Sequence, residues 1–182
     1  MTEKDININE RLIDKCLEGD IKAQFLLYKQ YSKAMYNIAV RFLANKMDAE
    51  DILQESFVSA FERLEELINR KAFGSWLKTI VINNCISFLR KQKVQFEDIR
   101  EFNLEEEEKQ ELDLTLDPTI VHSAIKDLPE GSRTVLVLHA LEGYRHREIA
   151  DMLNISESTS KTQYRRALGL LNKKLKHKVY VN

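Results

Sequence analysis

The stretch EIADMLNISESTSKTQYRRA, residues 148–167, decides the fold. Ile149, Ala150 and Leu153 form the inner face of a short helix, in which the small Ala150 lets a neighbouring helix come close. Asn154-Ile155-Ser156 reads as a tight turn, and Ser156 supplies a side-chain oxygen to cap the next helix. There Tyr164, Leu168, Leu171 and Leu175 recur at i, i+4, i+7 and i+11 and predict an inward stripe. Ser158, Lys161, Thr162 and Arg165 then point outward, with Arg166 on the flank. Two short helices across a tight turn, the second with small polar and basic groups near its amino end, make a helix-turn-helix suited to a DNA major groove.

Reading upstream, Pro129 restarts the chain into a helix with Val135, Leu136, Leu138 and Leu141, closed by Gly143. Asp117-Pro118 offers an N-cap followed by proline at the first helical position, and Val121, Ile125 and Leu128 follow at i, i+4 and i+7. A helical domain is therefore expected over residues 118–178, its last two helices at 146–153 and about 157–176. Before it, residues 94–117 lose the apolar period, and the run EDIREFNLEEEEKQELDLTLD is densely acidic. Like charge without large side chains predicts a solvated linker.

Residues 9–93 regain helical spacing in four segments. The first runs over 9–18 and stops at Gly19. Asp20 then caps a long helix carrying Phe25, Tyr28, Tyr31, Met35, Ile38, Phe42 and Leu43. Asp48 is expected to cap a third, with Ile52, Leu53, Phe57, Phe61 and Leu64 inside. After the polar stretch 65–71, a fourth helix begins near Phe73 with Trp76, Leu77, Ile80, Asn84 and Phe88, and Trp76 is expected in the core. The fold class is all-α: two small helical domains joined by an acidic linker.

Composition agrees. Five glycines and two prolines in 182 residues lack the turn chemistry of many short strands, and 43% hydrophobic residues suffice for two small cores. No run approaches the roughly 18 apolar residues that span a bilayer, and the start MTEKDININE lacks the order of a signal peptide, so a cytoplasmic protein without membrane insertion is expected. Cys16 and Cys85, far apart in helical patterns, are expected as buried free thiols. The net charge of −1 hides a strong segregation, since no Asp or Glu follows Glu157 while Lys161, Arg165, Arg166, Lys173, Lys174, Lys176 and Lys178 accumulate. That end suits a polyanion.

These residues resemble a known family. Residues 128–175 carry Leu128-Pro129, Glu142-Gly143, Glu148-Ile149-Ala150, Leu153, Ile155, Thr159, Lys161, Arg166 and Ala167, a pattern similar to region 4 of extracytoplasmic-function (ECF) sigma factors of the sigma-70 family. DAEDILQESFVSAFERL at 48–64 and FGSWLKTIVINNCISFLRKQK at 73–93 resemble region 2 of the same family. The resemblance implies a subunit that binds core RNA polymerase and directs promoter-specific initiation, with possible control by an anti-sigma factor. It implies that Asp48, Asp51, Gln54 and Glu55 meet the clamp of the largest polymerase subunit. Asp51, Gln54 and Glu55 also share one helix edge at i, i+3 and i+4, a polar patch suited to a cationic partner helix.

By the same resemblance, Asn69, Arg70 and Lys71 in a loop, then Asn83 and Arg90, take the −10 element, where a flipped base needs hydrogen-bonding groups and the open strand needs cations. Ser158, Thr159, Lys161, Thr162, Arg165 and Arg166 take the −35 element. The chain departs from the family pattern at Ile82, often Arg; at Ser87, often Asp; at Arg145, usually a capping Ser; and at Ser160 and Gln163, frequently Val and Arg. No cofactor or metal is implied. A phosphate loop, HExxH and paired zinc cysteines are all missing, and no Glu stands three residues before His122, His139, His146 or His177, so an enzyme is not expected. Those histidines are expected at the surface or at helix ends. The rival reading is a stand-alone helix-turn-helix regulator that binds an operator as a dimer.

Overall fold

The computed structural model describes residues 3–92 and 118–179, so the expected linker at 94–117 lies outside the described residues. The chain divides into two compact units, Met1–Phe88 and Leu89–Asn182. The described elements are all helical: α1 (Glu3–Leu17), α2 (Ile21–Leu43), α3 (Lys46–Glu62), α4 (Phe73–Lys91), α5 (Pro118–Lys126), α6 (Glu130–Leu136), α7 (His146–Leu153) and α8 (Glu157–Val179).

In the first unit α1 turns into α2 at Gly19, whose φ of +85° favours a residue without Cβ. Asp20 caps α2 as expected, its carboxylate accepting from the amides of Lys22 at 2.8 Å and Ala23 at 3.2 Å. The cap of α3 is Asn45 rather than Asp48: Asn45 Oδ1 accepts from the Met47 amide at 2.9 Å. Asp48 falls instead in the first turn of α3, where its charge meets the positive end of the helix dipole.

The core of this unit is built from Ile13, Leu27, Phe42, Phe73, Leu77, Val81 and Ile82, each at most 1% exposed. Not all expected members are fully buried: Tyr28, Tyr31, Phe61 and Phe88 are half-buried. Phe25 is 63% exposed while Leu27 turns inward, and Trp76 is only partly buried. Phe73 takes the interior place at the start of α4, edge-on to Tyr31 with ring centroids 5.2 Å apart. Gly74 makes that approach possible, since a Cβ there would stand 3.0 Å from Tyr31 Cε1. Buried polar groups are shared between helices. Asn9 donates to the Tyr31 hydroxyl at 2.9 Å, and Asn84 donates to Ser56 Oγ at 3.0 Å, which itself donates to the Ile52 carbonyl at 2.6 Å. Cys16 and Cys85 are free and buried. Burial, aided by the charge of Asp20, pushes the Cys16 thiol up to about 11, and burial pushes Cys85 up to about 12.

In the second unit α5 runs into α6 across Leu128 and Pro129, and the junction is held by an arginine. Arg133 is 4% exposed and donates to the carbonyls of Leu128 at 2.8 Å and Lys126 at 3.1 Å, the unpaired acceptors at the end of α5. After α6 the coil widens into a π-helical stretch, Val137–Leu141, ending as the Glu142 amide donates to the Val137 carbonyl at 3.0 Å. Gly143, φ +82°, breaks it.

The helix-turn-helix has the expected ends. Asn154 sits in the left-handed region at φ +54°, and Ser156 Oγ accepts from the Thr159 amide at 3.0 Å. At the start of α7 Arg145 has no side-chain acceptor to offer, so only the reciprocal half of a capping box forms: Glu148 accepts from the Arg145 amide at 2.7 Å. The inward stripe of α8, however, is rotated from the expected one. Ser160, Gln163, Ala167, Leu171 and Leu175 are buried, whereas Tyr164 and Leu168 are half-buried at the margin.

Against that margin lie two histidines. His139 and His146 stack with centroids 4.1 Å apart, and both meet the edge or face of Tyr164, at 4.7 and 5.6 Å. His139 Nδ1 donates to the Tyr144 carbonyl at 2.8 Å, which sets its tautomer. Burial, then the neighbouring His139 and Lys161, hold the His146 imidazole below its ordinary value, outweighing Glu157.

Two measurements test this packing. Arg133→Leu should lower the stability of the second unit by about 1.5–3 kcal/mol, because it strands two helix-end carbonyls, read by urea denaturation. For His146 the unfolded chain takes the proton first, so its contribution is intact above about pH 6.5 and is lost as pH falls through the lower folded value. The melting temperature should therefore drop between about pH 7.5 and 5, and His146→Asn should reduce that drop.

Candidate functional site

Three surfaces carry the residues singled out by the sequence. On α3, Asp51, Gln54 and Glu55 are exposed and Asp48 is half-buried, all on one side of the helix. Two apolar residues join them that sequence reasoning missed. Met47 is 74% and Val58 56% exposed, and with Asp51 and Gln54 they form a stripe at 47, 51, 54 and 58, a spacing of four, three and four. The signal was present in that heptad-like spacing, but Met47 precedes the expected cap and Val58 stands next to Phe57 of the inner run. The exposed side of α3 is thus a stripe of mixed acidic and apolar groups, with Ile52, Leu53 and Phe57 buried behind it.

The second surface joins the loop before α4 to one face of that helix. Asn69 Oδ1 accepts from the Lys71 amide at 3.0 Å, so its side chain shapes the loop. The loop's cations are held by α1: Arg70 Nε donates to Asp14 Oδ1, and Lys71 Nζ lies 4.0 Å from Glu10 Oε1. Along α4, Ser75, Thr79, Asn83, Ser87 and Arg90 form an exposed stripe of small polar groups ending in a cation. Ile82 has no part in it, being fully buried. The departure at that position therefore adds to the core rather than altering the outer face.

The third surface is the outer face of α8. Ser158, Lys161 and Arg165 are exposed, and Thr159, Thr162 and Arg166 are half-buried. The first turns are held internally. Thr159 Oγ1 lies 2.8 Å from Ser156 Oγ, Thr162 Oγ1 donates to the Ser158 carbonyl at 3.0 Å, and Lys161 Nζ pairs with Glu157 Oε1 at 2.6 Å. Lys161 in turn holds the Glu157 carboxyl below its usual range. Ser160 and Gln163 do not belong to this face. Both point inward, Gln163 Oε1 accepting from Ser132 Oγ at 2.6 Å and Ser160 Oγ sharing a hydrogen bond with His146 Nδ1 at 2.9 Å. Their departure from the family pattern is a matter of core chemistry.

Comparison with known proteins places this chain in a family. Residues 27–94 match Sigma-70 region 2, and residues 119–171 match Sigma-70, region 4. The chain is 31% identical over 184 residues to the ECF RNA polymerase sigma factor SigW of Bacillus subtilis, covering 92% of this chain and 96% of that one. It is 29% identical over 181 residues to the RNA polymerase sigma-H factor of Pseudomonas aeruginosa, covering 92% and 93%. Among solved structures, the fold is similar to the sigma factor RpoE of Bartonella quintana in complex with the anti-sigma factor NepR, at TM-score 0.51 and 22% identity over 86% of this chain and 98% of that one. It is likewise similar to CnrH in complex with the cytosolic domain of CnrY, at TM-score 0.50 and 24% identity over 93% and 97%. With matches to both regions and a relative aligned over nearly its whole length, the chain belongs to the ECF sigma factors of the sigma-70 family.

Proposed function

We propose that this chain joins core RNA polymerase as its promoter-reading subunit, with its three surfaces in three roles. The observation that carries the reading is the presence of both region matches in one chain, each coinciding with an exposed polar surface. The stripe on α3 meets the clamp of the largest polymerase subunit through Asp48, Asp51, Gln54 and Glu55, flanked by Met47 and Val58. Asn69, Arg70, Lys71, Asn83 and Arg90 take the −10 element, and Ser158, Thr159, Lys161, Thr162, Arg165 and Arg166 the −35 element. In this reading residues 9–93 and 118–178 are the two working domains and 94–117 the linker between them.

Carboxylates on α3 repel phosphate and gain nothing on a duplex, whereas in a partly desolvated protein interface a single charge pair is worth about 1.5 kcal/mol or more. The basic end of the chain has the opposite preference. That division supports a protein-facing first surface and a DNA-facing third. A stand-alone dimeric regulator finds no support, because it leaves the region 2 match without a task. In this reading the protein works in the cytoplasm, where polymerase acts. Among the described residues no helix is long and apolar enough to cross a membrane. An anti-sigma partner is supported by the two structural neighbours, each named in complex with such an inhibitor or a cytosolic partner domain.

Gln54→Ala combined with Glu55→Arg should abolish recovery of core polymerase in a pull-down while leaving helical content unchanged, and equal recovery by wild type and variant would overturn the assignment of α3. On α8, Glu157→Gln removes a carboxylate that faces the same side as Lys161 and releases that lysine from its pair. Promoter affinity of the holoenzyme should rise several-fold at low salt and the gain should shrink as salt increases, measured by titration of labelled duplex.

A further inference from the structure

The buried face of α8 changes character along its length. Toward the carboxy end it is Ala167, Leu171 and Leu175, while the half that lies beneath Ser158, Lys161, Thr162 and Arg165 is Ser160 and Gln163, 0% and 2% exposed. Each of these two polar side chains has a partner on a different helix. Ser132 of α6, itself 0% exposed, donates to Gln163 at 2.6 Å, and His146 of α7 shares its hydrogen bond with Ser160 at 2.9 Å. Apolar packing is non-directional and tolerates small rotations of a helix about its axis. A buried hydrogen bond is directional, and losing its partner strands a desolvated group.

We propose that the Ser132–Gln163 and His146–Ser160 hydrogen bonds lock the rotation of α8, making these four residues positioning residues for −35 recognition. The inference rests on the −35 reading of α8 given above. Two points of attachment three residues apart, to two different helices, set both the angle of α8 about its axis and its height. A rotation of about 20° moves a group roughly 6 Å from the axis by about 2 Å, which takes a base-reading side chain out of hydrogen-bonding range. Ser132, Ser160 and Gln163 are buried out of reach of a duplex, so their effect on sequence preference passes through Lys161, Thr162 and Arg165.

The test uses the full chain assembled with core polymerase and a pool of duplexes randomised across the −35 element. Wild-type holoenzyme first selects its preferred sequence, and discrimination against single-base variants is then measured together with the melting temperature and the salt slope of non-specific binding. Ser132→Ala with Gln163→Leu replaces both partners of that hydrogen bond by apolar groups, so neither is stranded by loss of the other. The variant should keep its melting temperature and salt slope while discrimination falls roughly tenfold. Full discrimination in this stable variant would overturn the inference and reduce the hydrogen bond to ordinary packing. Should that variant fail to fold, Ser132→Ala with Gln163→Met keeps the length of the side chain without stranding the serine hydroxyl and is judged by the same two outcomes. Failure of wild-type holoenzyme to select any sequence would instead remove the −35 reading itself, and this inference with it.

Discussion

The seating of α8 on α6 and α7 governs what the second unit presents outward. A helix of 23 residues with a basic outer face and no acidic residue after its first position gains little from its own polar surface, so its place is set from below. Leu171, Leu175 and Ala167 supply the apolar attachment, and Ser160 and Gln163 supply direction at the end that carries the small polar groups. Arg133 extends the same logic one layer back. By satisfying the last carbonyls of α5 it sets where α6 begins, and α6 is the helix that carries Ser132.

Much of this was legible in the sequence, because the relevant signals are local. Asp20, Gly19, Gly143, Asn154 and Ser156 act within a few residues of themselves, and each stands where its side chain or its φ predicts. What was not legible depends on residues distant in the chain. A count of apolar spacing sees Tyr164 and Leu168 and passes over Gln163, since nothing local reports that a serine 31 positions earlier awaits it. Phe25 and Leu27 are equally apolar to such a count, and only the packed neighbours of α2 decide that the smaller side chain turns inward. Asn45 and Asp48 compete for one cap, and the asparagine wins by lying just outside the first turn, where its oxygen can reach an amide. On the surfaces, residue types were legible but their company was not: Met47 and Val58 beside Gln54 emerge only when α3 has a buried side to define the exposed one.

Three of the six cations proposed for DNA share a further property. In the free protein Arg70, Lys71 and Lys161 each stand by a carboxylate, of Asp14, Glu10 and Glu157 respectively. These groups are solvent-exposed to a third or more, and pairs of that kind contribute about 0–1 kcal/mol. They are therefore too weak to withhold the cations from a phosphate, yet they restrict the search of long side chains before any duplex arrives. A polyanion must displace the carboxylates from these cations, so each such contact exchanges one ion pair for another instead of creating a pair from two solvated ions. Binding built on such exchanges takes only part of its affinity from charge, and the remainder has to come from geometry, which returns the burden of recognition to the seating of α8 and of the loop before α4.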